Sequence, residues 1–309
     1  MNAPVVLFVY KRADHTQKVL EALNAAAIDE TELFIFSDGW KDETDKKMVL
    51  EVRTVINAFA AESRFTKTTI IEADCNRGLA NSIINGVTSI INKYEKVIVL
   101  EDDLVVSRNF LTYMNRALDF YADNKKIWSI SGYSFQMKSL AAYEHDVYIT
   151  GRGCCWGWAT WRDRWQMVDW NVNDYKRFKH NWLLRNKFGK YGRDLPIMLD
   201  TQMYTNHDSW AIRWCYSEFN NQMFTIYPKK SLVSNIGNDG TGVHKSSLNA
   251  RFDVTLDNSD PFSCFFENVA ENKRIDKEFA RRYRVSLWQS IKQEIRWLLI
   301  RCGLLNPNK

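Results

Sequence analysis

The chain has 309 residues, 45% of them hydrophobic and 26% charged, with a formal net charge of +5. This is the balance of a globular protein able to bury a sizeable core, and it excludes a disordered chain. The positive excess is not gathered into arginine-rich runs beside aromatics, so nucleic acid is not the expected partner. No apolar stretch approaches the roughly 20 residues that a bilayer crossing takes.

In chain order, short apolar runs alternate with amphipathic stretches through the first hundred residues, the pattern of a mostly parallel sheet flanked by helices. Val5–Tyr10 reads as a buried strand and His15–Ala27 as the helix after it. Glu32–Phe36 reads as a second strand ending at Ser37-Asp38-Gly39, Thr68–Glu72 as a third, and Lys96–Leu100 as a fourth running into Glu101-Asp102-Asp103. Polar residues at strand ends are expected on one rim, because open α/β sheets bind ligands beyond the carboxyl ends of their strands.

Beyond Asp103 the spacing predicts a helix near Asn109–Tyr121, a strand around Ile127–Ser131 and a Gly/Cys/Trp-rich stretch from Gly151 to Trp165. A helical insertion over Asp169–Lys190 and a helix over Asp208–Asn220 follow. Asn235–His244 holds three glycines and reads as a loop. In the tail, Ala280–Cys302 sets Leu287, Ile291, Ile295, Leu298 and Leu299 at helical spacing among arginines and lysines. Such a helix either lies on an anionic membrane surface or packs on the main domain. The expected organisation is a catalytic unit over residues 1–250, with halves meeting near 105, and an extension over 251–309.

Of the 12 Trp residues, many fall between Trp156 and Trp214; core packing is expected for most, with a sugar-lined cleft as the alternative. The cysteines at 75, 154, 155, 215, 264 and 302 show no CxxC pair or zinc spacing, and the N-terminus carries no secretory signal pattern. A reducing cytoplasmic setting is expected.

The acidic triplet Glu101–Asp103 directly after an apolar strand is the strongest chemical feature. Hard cations such as Mn²⁺ or Mg²⁺ take one or two protein carboxylates together with substrate phosphates, and carboxylates crowded at a buried strand end need a cation or partner. Solvated turn residues are the alternative.

The triplet and its strand resemble a GT-A fold glycosyltransferase, specifically the inverting N-acetylglucosaminyltransferases that start complex N-glycan branching and their bacterial capsule and lipopolysaccharide relatives. The resemblance covers roughly residues 4 to 245, and its strong motif is the triplet. It implies that Asp103 binds the metal, Mn²⁺ or Mg²⁺, while Glu101 and Asp102 face the ribose and the sugar. It further implies a UDP-sugar donor, with Asp38 accepting from the base and Arg12 beside the nucleotide; an ordinary Asp-Gly turn remains open for Asp38.

Asn76-Arg77-Gly78-Leu79 with Asn81 is similar to a pattern in family 2 glycosyltransferases. A helix N-terminus there offers N–H groups to phosphate and Arg77 adds charge, with simple turn chemistry as the alternative. Asp208 stands where the similar enzymes carry a catalytic base, although it is equally placed to cap its helix. His244, ending the glycine-rich loop, is expected as a late metal or diphosphate contact. His15, His145 and His180 are read as surface or structural residues.

The expected reaction is an inverting displacement onto a hydroxyl of a glycan or lipid-linked acceptor, at the inner face of the cytoplasmic membrane if the tail helix touches lipid. Three rivals stay open. A retaining enzyme would use the same metal site without Asp208. A sugar nucleotidyltransferase would open with a glycine-rich phosphate loop, which Val5–Arg12 lacks. A carbohydrate-binding protein would keep the fold without the reaction.

Overall fold

The computed structural model describes residues 2–237, 252–260 and 264–306. Its chain order opens with β1 (Val5–Val9), α1 (Ala13–Ala26), β2 (Glu32–Ser37), α2 (Glu43–Glu62), β3 (Lys67–Glu72), α3 (Leu79–Tyr94) and β4 (Lys96–Glu101). These four strands pair in parallel in the order β3-β2-β1-β4. All five residues of β1 and the central four of β4 are buried, which is why both read as unbroken apolar runs.

The second half follows with β5 (Leu104–Val106), α4 (Phe110–Phe120), β6 (Ile127–Ser131), α5 (Lys138–Ala141), β7 (Val147–Thr150) and β8 (Trp158–Trp161). The sheet continues from β4 through β8 and β6 to β9 (Phe224–Pro228) and β7. β8 runs antiparallel to both β4 and β6, whereas β6 and β9 run parallel to each other. The result is an eight-stranded mixed sheet flanked by helices, an α/β fold whose parallel half carries the carboxyl-end rim. A short second sheet pairs β5 with β10 (Val233–Asn235).

The predicted insertion over Asp169–Lys190 is two short helices, α7 (Tyr175–His180) and α8 (Trp182–Phe188), which follow α6 (Arg162–Gln166). α9 (Asp194–Tyr204) and α10 (Trp210–Asn220) complete the middle of the chain. The predicted tail helix is likewise divided into α11 (Lys273–Arg282) and α12 (Leu287–Arg301), the second opening on a Ser286 capping box.

Tryptophan is core material here. Trp128, Trp158, Trp165, Trp210 and Trp214 are buried in one cluster, with ring centroids 4.4 Å apart for Trp128–Trp214 and 5.3 Å for Trp158–Trp210. This cluster fixes α10 against the sheet. On the opposite face Phe252, Phe266, Ile275 and Phe279 pack into the core with α1 and α4. Among the described residues no helix is long and apolar enough to cross a membrane.

Candidate active site

Parallel register brings the four polar strand ends together. Phe8 stands opposite Glu101, Val9 opposite Ser37, and Ser37 opposite Glu72. Tyr10–Arg12, Asp38-Gly39, Ala73–Gly78 and Glu101–Asp103 therefore share one rim, as the sequence predicts.

The triplet is not loosely solvated. Asp102 is 5% exposed, its carboxylate accepts from the Tyr10 amide at 3.3 Å, and it pairs with the Arg12 guanidinium. The same guanidinium lies 2.9 Å from the Asp103 carboxylate. Burial raises the Asp102 carboxyl, and Arg12 works against that rise. Glu101 is pushed up to about 8, first by burial and then by Asp103 and Asp102. Three acids in a row cannot all ionise cheaply at a buried strand end, and Arg12 supplies the cation that partly offsets them.

Backbone from the second half closes over this cluster. The β5–β10 ladder aligns Leu104 with Asn235, and the Ile236 amide then donates to the Asp103 carbonyl at 2.9 Å. Gly237 sits so close to the Asp103 carboxylate and to Arg12 that a Cβ would have no room. His15, read from sequence as surface or structural, donates from Nε2 to the Ile236 carbonyl at 3.3 Å and so holds this same segment. Its sequence gave no signal of this, because the contact spans 221 positions. His244 lies outside the described residues.

Asp38 is a hub. Its carboxylate accepts from the Gly39 and Arg77 amides, both at 2.9 Å, and from the Gly78 amide and the Asn76 side chain, both at 3.1 Å. These four donors fix the turn into α3, where Gly78 adopts φ +77°, a left-handed conformation that favours glycine. The turn leaves the first amides of α3 facing the rim with the exposed Arg77 beside them, a ready anion site.

α10 runs toward the start of β9, which parallels β4 through β6 and β8, so its N-terminus lies at the carboxyl edge of the sheet. Asp208 is therefore on the rim side. It does not cap the helix: Ser209 is the N-cap, its hydroxyl accepting from the Ile212 amide at 3.4 Å. The Asp208 carboxylate is half exposed and bonded to Arg213 at 2.6 Å. The stretch before β8 also reaches the rim; the Cys155 thiol is raised well above its ordinary value by burial, then by Cys154 and Glu101. Beyond the carboxyl ends of β6 and β9 opens a cleft of about 580 Å³, lined by Ser134, Phe135, Met137, Lys138, Lys230 and Leu256 among others.

No group of three or more His, Cys, Asp or Glu side chains able to hold a metal ion occurs among the described residues. An accessible oxygen of Asp103, whose side chain is 20% exposed, nevertheless suits a hard cation that takes one protein carboxylate and completes its shell from phosphates.

The sequence matches no protein-family model and no curated protein. Among solved structures it is similar to a mannosyltransferase from Pyrobaculum calidifontis in complex with GDP-Man and Mn²⁺, at 16% identity and TM-score 0.39, over 52% of this chain and 45% of that one. It is similar to S. aureus TarS 1-349 in complex with UDP at 10% identity and TM-score 0.44, over 75% and 60% of the two chains. It is also similar to a UDP-glucose pyrophosphorylase complexed with UDP-glucose, at 10% identity and TM-score 0.37, over 74% and 90%. The chain thus spans about half of the mannosyltransferase and three fifths of TarS 1-349.

Proposed function

We propose that this chain is a nucleotide-sugar-dependent glycosyltransferase of the GT-A type, inverting, which moves a hexosyl or N-acetylhexosaminyl group from a UDP-sugar to a hydroxyl of a surface glycan or lipid-linked oligosaccharide. The observation that carries the reading is the convergence on one rim of a buried acidic triplet, Arg12 and the open N-terminus of α3. Three chain segments distant in sequence thereby set an acidic cluster beside an anion site, the arrangement a sugar diphosphate calls for.

In this reading the α3 amides and Arg77 bind the diphosphate, while Asp38 positions them, since its carboxylate is already filled by four protein donors. Glu101 and Asp102 face the ribose and the sugar. Burial and its two acidic neighbours raise the Glu101 carboxyl, and a cation held by Asp103 would work against that rise. Asp103 would hold Mn²⁺ or Mg²⁺, which neutralises charge on a departing diphosphate.

The acceptor approaches the rim from the side of α10, where Asp208 stands. Asp208, oriented by Arg213, takes the proton of the acceptor hydroxyl as its oxygen bonds to the anomeric carbon. The bond from that carbon to the diphosphate oxygen breaks with its electron pair, and configuration inverts. A lipid-borne acceptor would place this chemistry at the inner face of the cytoplasmic membrane.

One observation favours a second reading. Arg12 already bridges Asp102 and Asp103, so a metal-free transferase would use Arg12 as its fixed cation. One experiment tests both: binding and hydrolysis of UDP-, GDP- and CMP-sugars by the wild-type chain and Asp103→Asn, with Mn²⁺ or with EDTA. Manganese-dependent turnover of a UDP-sugar that the variant loses supports the first reading, and EDTA-insensitive turnover the second. No binding of any nucleotide sugar sinks both and leaves the carbohydrate-binding protein.

A further inference from the structure

α12 is amphipathic, but its broad apolar stripe faces away from the protein. Trp297, 2% exposed, packs the helix onto α9 by stacking on Tyr204 at 5.4 Å between centroids. Trp288, Ile291, Ile295 and Leu298 follow one another at intervals of three and four, so they line a single face. That face is open: Trp288 is 81% exposed, Ile295 54% and Leu298 55%.

A second element lies near it. On α8 Trp182 is 72% and Leu183 63% exposed, and Arg185 of the same helix is bonded to Glu294 of α12 at 2.9 Å, which ties the two helices at that point. Two exposed tryptophans and four large aliphatic residues on adjacent helices are more than the scattered apolar residues of an ordinary surface.

The surrounding charge identifies the occupant. From residue 175 to 191 the sequence has Lys176, Arg177, Lys179, Arg185, Lys187 and Lys190, with no Asp or Glu; Arg177, Arg185 and Lys190 are met by Asp174, Asp200 and Glu271, so Lys176, Lys179 and Lys187 are the cations this stretch offers a lipid phosphate. From Phe279 to Arg301 the sequence has Arg281, Arg282, Arg284, Lys292, Arg296 and Arg301 against Glu294 alone, and Glu294 is the partner of Arg185. A partner protein of mixed charge would find few anions to read there, whereas a continuous negative plane with an apolar interior matches both features at once.

We propose that α8 and α12 together form a docking surface for an anionic phospholipid bilayer, in which the apolar stripe enters the acyl boundary, Trp182 and Trp288 sit at headgroup level and the flanking cations meet lipid phosphates. This surface stands independently of the sugar-transfer reading. If that reading also holds, the stack of Trp297 on Tyr204, four positions before Asp208, sets the acceptor side next to the lipid.

The test is flotation of the full chain with vesicles of pure phosphatidylcholine and of phosphatidylcholine with phosphatidylglycerol in equal parts. The expected result is partition into the anionic vesicles only, weakened by salt. A Trp288→Ser/Ile295→Ser variant should lose at least about tenfold in partition, and Arg284→Gln/Lys292→Gln several-fold, with thermal melting unchanged in both because all four side chains are exposed. Vesicles with brominated acyl chains should quench part of the tryptophan emission of the wild type and less of the first variant.

Absence of partition, or equal partition of wild type and variants, overturns the proposal. So does a dimer in sedimentation equilibrium that Ile295→Ser dissociates while vesicle binding is nil, which would assign the face to a second copy of the chain. Donor binding, measured in parallel without vesicles, reports on the rim alone and separates the two failures.

Discussion

Arg12 decides how the triplet behaves without a ligand. Removing it leaves Asp102 buried with no cation, and loss of one member of a buried pair costs on the order of 3 kcal/mol. Arg12→Gln should therefore lower the melting temperature. If Asp103 and its neighbours hold a divalent ion, Mn²⁺ should recover more stability in the variant than in the wild type, because it then supplies the missing charge. Equal shifts with Mn²⁺ in the two proteins would remove the metal from Asp103. At Asp208 the expectation differs: Asp208→Asn should lower kcat by about 10²–10⁴ while donor affinity stays the same, since a general base acts on the acceptor proton. A fall in donor affinity instead would place Asp208 in the donor site. Neither contact was legible beforehand. Arg12 meets Asp103 across 91 positions, and only the structure assigns the α10 cap to Ser209.

At the scale of elements, the parallel half was readable because strands buried on both faces are continuous apolar runs, and their polar ends stand out. β1, β2, β3 and β4 begin and end within about a residue or two of where the apolar pattern places them, the ordinary uncertainty of element ends. The other half was less readable for a physical reason. β7 and β8 have four residues each, too few for a period to emerge, and β8 consists of Trp-Ala-Thr-Trp inside a stretch legible only as rich in Gly, Cys and Trp. α2 went unmarked although it is 20 residues long, because its charged face outweighs a thin buried line of Val49, Val52 and Ile56. The α3 turn yields a prediction at this scale. Asp38→Ala deletes the acceptor for three amides and the Asn76 side chain, and hydrogen bonds to a charged group contribute about 1.5–3 kcal/mol each, not additively. The variant should melt lower and bind the donor more weakly together, whereas Asp38→Asn should lose less of both. A variant with normal melting but no donor binding would return Asp38 to direct contact with the nucleotide.

For the whole molecule the question is how the tail is held to the body, and Asp276 on α11 offers a pH-dependent measure of it. Asp276 is 5% exposed, neither carboxylate oxygen has a hydrogen-bond partner among the described residues, and Lys190 stays 3.7 Å away while also paired with Glu271. Burial raises Asp276 to about 6, Lys190 works against that rise, and Glu271 adds to it. In the window between the ordinary value of 3.8 and about 6 the folded protein binds this proton more tightly than the unfolded chain. The contribution of Asp276 to stability must then fall as pH rises through that window, and above it the folded state carries the whole cost of a buried anion. Asp276→Asn has no such proton to lose. Relative to wild type, it should be nearly neutral near pH 4 and more stable at pH 7 by roughly 1–2 kcal/mol, or a few degrees in melting temperature for a chain of this size. The difference between the two melting curves is the quantity to follow, because other carboxylates impose slopes of the opposite sign on both proteins alike. A difference that does not change between pH 4 and 7 would mean that the Asp276 carboxylate is as well solvated in the folded protein as in the unfolded one, and that α11 does not bury it against Lys190 and Glu271.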